Sequence, residues 1–238
     1  MEKLELTVDF KTTSGMFDKD VYIKPYAVLD LCQSIAGRHA YNLGFGADKL
    51  LEDNLGWITA RQTFEFYQTP FLFDTIRITT FPHPQNKFEF YREYEAYNLK
   101  GEILFRSLSL WVILDFTNNR LSSKPIDFKG EFREGSYFKG VPKPKNAKNL
   151  GIKIGERIVV KADIDMYNHL NNAKYADIIF DFAGLDAKEY RSLTISYQSQ
   201  ALLNDVIEIY KYQEDNMIYI TGIINDKICF TSEVRKRG

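Results

Sequence analysis

The stretch Glu65-Phe66-Tyr67-Gln68-Thr69-Pro70-Phe71-Leu72-Phe73-Asp74-Thr75-Ile76-Arg77-Ile78 aligns without a gap on Ser196-Tyr197-Gln198-Ser199-Gln200-Ala201-Leu202-Leu203-Asn204-Asp205-Val206-Ile207-Glu208-Ile209. Phe66 falls opposite Tyr197, Leu72 opposite Leu203, Asp74 opposite Asp205, and both isoleucines of each stretch coincide. Such self-similarity marks an internal repeat. The first copy carries strand patterning, because Phe64-Glu65-Phe66 and Ile76-Arg77-Ile78 alternate apolar and charged side chains with the two-residue period of a sheet.

Working outward, residues 56–67, 75–81, 88–97 and 103–116 are rich in β-branched and aromatic residues and read as strands. The pattern returns at 192–198, 206–212, 217–224 and 228–234. Asn98-Leu99-Lys100-Gly101 and Asn225-Asp226 supply the turns. Each set follows one helix candidate. Residues 29–41 place Leu31, Ile35 and His39 at helical spacing before Gly44 and Gly46; residues 172–182 place Tyr175, Ile178, Ile179 and Phe182 likewise before Gly184. A helix followed by an antiparallel sheet that wraps it is the hotdog arrangement. The expected class is therefore α+β, a tandem (double) hotdog. The polar, proline-spaced run Pro142-Lys143-Pro144-Lys145-Asn146-Ala147-Lys148-Asn149 reads as a connection, dividing the chain into 1–141, a linker 142–152 and 153–238.

The 238 residues are 45% hydrophobic and 26% charged, enough apolar material for a packed core. The 15% aromatic share favours strands. A net charge of -1 gives no global field for nucleic acid. Cys32 and Cys229 show no metal or redox spacing and read as buried thiols in a reducing compartment. With three histidines and no ligand spacing, no metal site is expected. No run approaches ~20 apolar residues, so no membrane span is expected, and the start of the chain lacks a signal-peptide pattern. The expected setting is cytoplasmic.

The chain resembles the acyl-acyl-carrier-protein thioesterases of plants and bacteria over nearly its whole length. The resemblance rests on Gln33-Ser34-Ile35-Ala36-Gly37-Arg38-His39-Ala40, Leu55-Gly56-Trp57-Ile58-Thr59-Ala60-Arg61 and Ser109-Leu110-Trp111-Val112-Ile113-Leu114-Asp115. Its most specific stretch is Asp163-Ile164-Asp165-Met166-Tyr167-Asn168-His169-Leu170-Asn171-Asn172-Ala173-Lys174-Tyr175. The resemblance implies hydrolysis of the thioester between a fatty acyl chain and acyl carrier protein in fatty acid biosynthesis, without a cofactor. Its active-site residues come from the second hotdog. There the family has Asp, then Asn two residues on, then His two further. This chain keeps Asp165 and His169, places Tyr167 at the Asn position, and follows it with Asn168 as a local substitute. The family also supplies a Glu and often a Cys on the next strand, where this chain has Gln200 and Ala201.

A thioester carbonyl needs an activated nucleophile and donors for the developing oxyanion. Asp165 is the candidate base acting on water, His169 a partner for the carbonyl or for Asp165, and Gln200 a group that orients water but cannot take its proton. Asn171 is a candidate helix cap. The bland readings stand beside these. An Asp before a helix is commonly a turn former, a single loop His is commonly structural, and His39 and His83 are read as structural. The matching loop of the first half, read at Lys24-Pro25-Tyr26-Ala27-Val28-Leu29, has no Asp/His pair. By family analogy, the first hotdog takes the acyl chain, with Ile35, Trp57, Thr59 and Phe64 as candidate lining residues. Lys143, Lys145, Lys148, Lys153 and Arg157 form a basic cluster that would suit an acidic carrier protein. The alternatives are an acyl-CoA thioesterase, a catalytically weak acyl- or carrier-binding module, and a dehydratase hotdog. A homodimer is an open possibility, since hotdog sheets commonly pair edge to edge.

Overall fold

The computed structural model describes residues 2–238. The first half runs β1 (Leu6–Lys11), α1 (Pro25–Asn42), a short α2 (Ala47–Glu52), β2 (Leu55–Phe66), β3 (Thr75–Pro82), β4 (Phe90–Tyr97), β5 (Ile103–Asp115) and the stub β6 (Arg120–Ser122). The second runs β7 (Ile152–Ile158), α3 (Lys174–Ala183), β8 (Tyr190–Tyr197), β9 (Val206–Glu214), β10 (Met217–Ile224) and β11 (Lys227–Lys236). All strands join one 11-stranded sheet in the order β1-β3-β4-β5-β2-β8-β11-β10-β9-β7, with β6 paired to β5. Read from its outer edge inward, each half has the same order, and the halves meet where β2 pairs with β8.

The aligned stretches are the same piece of structure. Their strands β3 and β9 begin at Thr75 and Val206, which are aligned positions. Just before them, Asp74 O accepts from Thr12 N–H and Asp205 O from Val159 N–H, both at 2.9 Å. Phe73 and Asn204 are left-handed at the same point, with φ of 63° and 71°. Thr63 and Thr194, each two residues before an aligned stretch, face each other in the seam. The pseudo-two-fold axis therefore passes between them.

Each half is an antiparallel sheet packed on one helix, as expected of a double hotdog. From α1, Val28, Cys32 and Ile35 are buried with Phe64, Ile76, Ile78 and Phe105; from α3, Ala176 and Ile179 are buried with Leu193, Ile207, Ile209 and Phe230. Both sets belong to one continuous core. At the β10 bulge, the ring of Phe230 lies so close to Gly222 that a Cβ there would have no room. Helix α1 starts earlier than its hydrophobic spacing suggested, because Pro25 at the first position is already set to helical φ. The edge strands β1 and β7 lie outside the stretches whose pattern predicts strands.

Candidate active site

The run after β7 folds into a tight turn. Ile164 and Leu170 bridge, Asp165 N–H donates to His169 O at 2.9 Å, and Asn168 N–H donates to Asp165 O at 3.0 Å. Asn168 is left-handed, with φ 65°, a conformation its short amide side chain tolerates. Inside the turn, Asp165 Oδ1 accepts from the backbone N–H of Tyr167 at 2.9 Å and of His169 at 3.4 Å. The base of the loop is anchored by Asp163, which accepts from Arg157 at 2.8 Å and from Val160 N–H at 2.9 Å. Asp165 and His169 are half-buried, whereas Tyr167 and Asn168 face solvent. Among the described residues, neither Asp165 Oδ2 nor the His169 ring has a hydrogen-bond partner.

The turn leads directly into α3. Asn171 Oδ1 accepts from Ala173 N–H at 2.8 Å and from the Gln33 amide of α1 at 3.3 Å. Asn171 thus caps the approach to the helix, while the formal cap residue is Ala173. The Asn172 carbonyl accepts from the Tyr197 hydroxyl at 3.1 Å, and its N–H has no acceptor among the described residues. Asn172 lies one residue ahead of the cap, so its free N–H sits at the approach to the helix, where the positive end of the helix dipole suits an oxyanion. Behind it, Tyr175 donates to Cys229 Sγ at 3.4 Å, and Cys229 lies 3.3 Å from Ser199 O. Burial raises the hydroxyl pKa values of Tyr175 and Tyr197 and pushes the Cys229 thiol up to about 11, so all three stay protonated at neutral pH. Cys229 is therefore no nucleophile.

The first half contains the same turn, built at Asp18–Tyr22 and not at the Lys24–Leu29 loop where the sequence suggested it. Phe17 and Ile23 bridge, Asp18 N–H donates to Tyr22 O at 2.9 Å, and Val21 N–H donates to Asp18 O at 3.1 Å. Asp18 Oδ1 accepts from Asp20 and Tyr22 N–H, both at 2.9 Å. Val21 is left-handed, φ 62°, as Asn168 is. An aspartate in this position is thus partly a turn former in both halves. The outer face of the turn differs. Asp18 Oδ2 accepts from Ala187 N–H at 3.3 Å, while Lys19 pairs with Asp186 at 2.8 Å and Lys188 with Asp20 at 2.6 Å. Tyr22 replaces His169, and the void it lines with Thr69, Ala187 and Tyr190 is only about 10 Å³. One turn is latched shut; the other is open and carries the histidine.

Gln200 is exposed and its side chain has no partner among the described residues, but the adjacent Ala201 O accepts from Leu170 N–H at 2.9 Å, which holds that loop against the turn. Of the expected acyl-lining residues, Ile35 and Phe64 are fully buried in the main core. Trp57 packs in a separate cluster with Leu50, Leu55, Phe90 and Ile113, its indole N–H donating to Phe45 O at 2.9 Å; Thr59 is buried beside it on β2. His39 bonds Arg92 and His83 bonds Glu93. In the basic cluster Lys145, Lys148, Lys153 and Arg157 all pair with carboxylates, which cancels most of its charge locally. Among the described residues no group of His, Cys, Asp and Glu could hold a metal, and no helix is long and apolar enough to cross a membrane.

The family models of the acyl-ACP thioesterase N-terminal and C-terminal domains match residues 3–132 and 147–233. The chain belongs to the acyl-ACP thioesterase family. It is 24% identical over 208 residues to the chloroplastic oleoyl-acyl carrier protein thioesterase 2 of Arabidopsis thaliana, covering 76% of this chain and 55% of that protein. It is 27% identical over 179 residues to the chloroplastic palmitoyl-acyl carrier protein thioesterase of Gossypium hirsutum, covering 69% and 43%. The chain thus spans about half the length of the curated relatives it matches. An acyl-ACP thioesterase from Bacteroides thetaiotaomicron superposes with TM-score 0.87 at 18% identity over 98% of both chains. A 12:0-ACP thioesterase from Umbellularia californica superposes with TM-score 0.83 at 19% identity, covering 100% of this chain and 98% of the other. These likenesses establish the shared double hotdog of the acyl-ACP thioesterase family.

Proposed function

We propose that this chain hydrolyses the thioester between a fatty acyl group and acyl carrier protein, releasing the free fatty acid. The observation that carries this reading is the unequal pair of turns. Among the described residues, a carboxylate oxygen and an imidazole stand without partners in the turn that leads to a free N–H before the helix, whereas the equivalent turn is sealed. Folding alone gives no reason to leave one of two equivalent turns open. Family membership and the named activities of the relatives support the substrate class.

In this scheme a water oxygen attacks the thioester carbon while its proton passes to Asp165 Oδ2. The carbonyl oxygen becomes an oxyanion that accepts from Asn172 N–H and from His169. Collapse breaks the C–S bond, and the carrier thiolate takes the proton back from Asp165. The Asp165 Oδ1 contacts keep the carboxylate aimed while Oδ2 reacts. We assign the acyl chain to the first half, whose core at Ile35 and Phe64 is closed in this structure and has to part to admit it.

The test is free-acid release from a chain-length series on acyl carrier protein and on CoA by wild type, Asp165→Asn and Asp18→Asn. Asparagine retains the Oδ1 acceptor for the backbone N–H groups, so both variants keep their turns and fold, Asp18→Asn giving up only the long Ala187 contact. Asp165→Asn should lose at least ~100-fold in kcat, and Asp18→Asn should stay within about two-fold of wild type, the turn it serves being closed. Full activity in Asp165→Asn would sink the assignment. Equal turnover on CoA would move the substrate class to acyl-CoA.

A further inference from the structure

In each half, the start of one helix is faced by an aspartate from the other half's helix, and the two aspartates have different company. Lys24 and Asn171 are equivalent positions: Ala27 N–H donates to Lys24 O at 3.0 Å and Lys174 N–H to Asn171 O at 2.9 Å. The same register equates Asp30 of α1 with Asp177 of α3. Asp177 lies 3.5 Å from Lys174 Nζ and feels the charge of Lys24 across the boundary. Two lysines thus stand near Asp177. At the open site, Asn171 takes the place of Lys24 and Ala27 that of Lys174, and Asp30 has no cation within ion-pair distance among the described residues.

Asp30 is nonetheless held firmly. Its Oδ1 accepts from Gln33 Nε2 at 2.9 Å, and the same nitrogen donates to Asn171 Oδ1 at 3.3 Å. A half-buried carboxylate from the first half is thereby fixed beside the cap that leads into α3, two residues beyond His169. Its Oδ2 has no partner among the described residues. Gln200, in the neighbouring loop, is exposed and cannot accept a proton.

We infer that Asp30 is a second catalytic carboxylate of this site, contributed across the boundary between the halves, and that Gln33 is its positioning residue. The inference rests on the hydrolase reading above. The attacking water has two O–H bonds. One proton passes to Asp165 as the C–O bond forms. The other hydrogen stays on the oxygen and is held by Asp30 Oδ2, which fixes the direction of the attacking lone pair. No further reactant is needed, since the thiolate recovers the proton from Asp165.

The experiment uses the full chain with its best acyl-carrier-protein substrate and measures kcat, KM and the unfolding midpoint. The variants are Asp30→Asn, Gln33→Leu, Asp177→Asn, Asp165→Asn and the Asp30→Asn/Asp165→Asn pair. Asp30→Asn keeps the Gln33 contact and the fold; its kcat should fall about 10- to 100-fold with KM within about two-fold. Gln33→Leu should lower kcat less, and Asp177→Asn should leave it unchanged. Because both carboxylates act on one water, the double variant should be no slower than Asp165→Asn alone. An Asp30→Asn enzyme at wild-type kcat beside an inactive Asp165→Asn overturns the role of Asp30 and leaves the hydrolase reading intact. Independent, multiplying losses in the double variant overturn the shared water. A wild type that releases no acid from any acyl carrier overturns the hydrolase reading and this role together.

Discussion

Asp18 and Asp165 put the same carboxylate oxygen to the same use, accepting two backbone N–H groups inside equivalent turns. What separates them is the residue four positions on, Tyr22 or His169, and whether a loop lies over the second oxygen. The Asp165/His169 pair was legible because its neighbours form a dense motif. Asp18 was not, because Lys19-Asp20-Val21-Tyr22 shares no side chain with Met166-Tyr167-Asn168-His169 and the likeness lies in backbone torsions. Those torsions give a stability prediction. Val21 holds φ 62° with a β-branched side chain, where its counterpart is an asparagine at 65°. The left-handed region costs an ordinary residue about 1–2 kcal/mol and asparagine less. Val21 is half exposed, so Val21→Asn loses little burial and should stabilise the protein by about 1 kcal/mol in urea unfolding. Asn168→Val should destabilise it by a similar amount.

Helix α1 packs more than apolar side chains on the sheet. Arg92 of β4 is buried beneath it, donating to His39 Nδ1 at 2.9 Å and to Thr80 Oγ1 at 3.3 Å. Burial and the Arg92 charge lower the His39 pKa to about 4. His39 is therefore neutral in the fold at pH 7, which leaves Nδ1 free to accept. The folded value lies below the unfolded one near 6.5, so the unfolded chain binds the extra proton as the solution is acidified. Stability tied to His39 is complete above pH 6.5 and is lost progressively down to pH 4, a loss of order 3 kcal/mol. His39→Gln retains an acceptor for Arg92 without a titrating ring, and its urea midpoint should vary less with pH across that window. A structural role for His39 is legible from its place on a helix, but its partner is not, since β4 is remote in the chain. Edge strands are likewise hard to read. Strand β7 pairs on one side only and every one of its residues keeps some exposure, so its burial leaves no clean alternation.

Across the whole molecule, the repeat was legible because the aligned positions are where β3 and β9 begin; the manner of joining was not, because strand pairing across a two-fold leaves no local pattern. The seam is β2 on β8, centred on Thr63 and Thr194, whose buried hydroxyls lie 2.8 Å apart. One hydrophobic core runs through both halves, so neither half can lose its packing without exposing the other. A single cooperative transition by calorimetry and by fluorescence should follow, and separate transitions for the two halves would contradict the shared core. The seam itself can be weighed by a double-mutant cycle. Thr63→Val leaves the Thr194 hydroxyl buried without its partner and should cost about 1–2 kcal/mol, and Thr194→Val should cost about the same for the converse reason. Replacing both removes the orphan and keeps the shape, so Thr63→Val/Thr194→Val should be less destabilised than the two single changes added together. Strict additivity would mean that the hydroxyls do not interact across the axis, and that the halves are held by backbone pairing and core contacts alone.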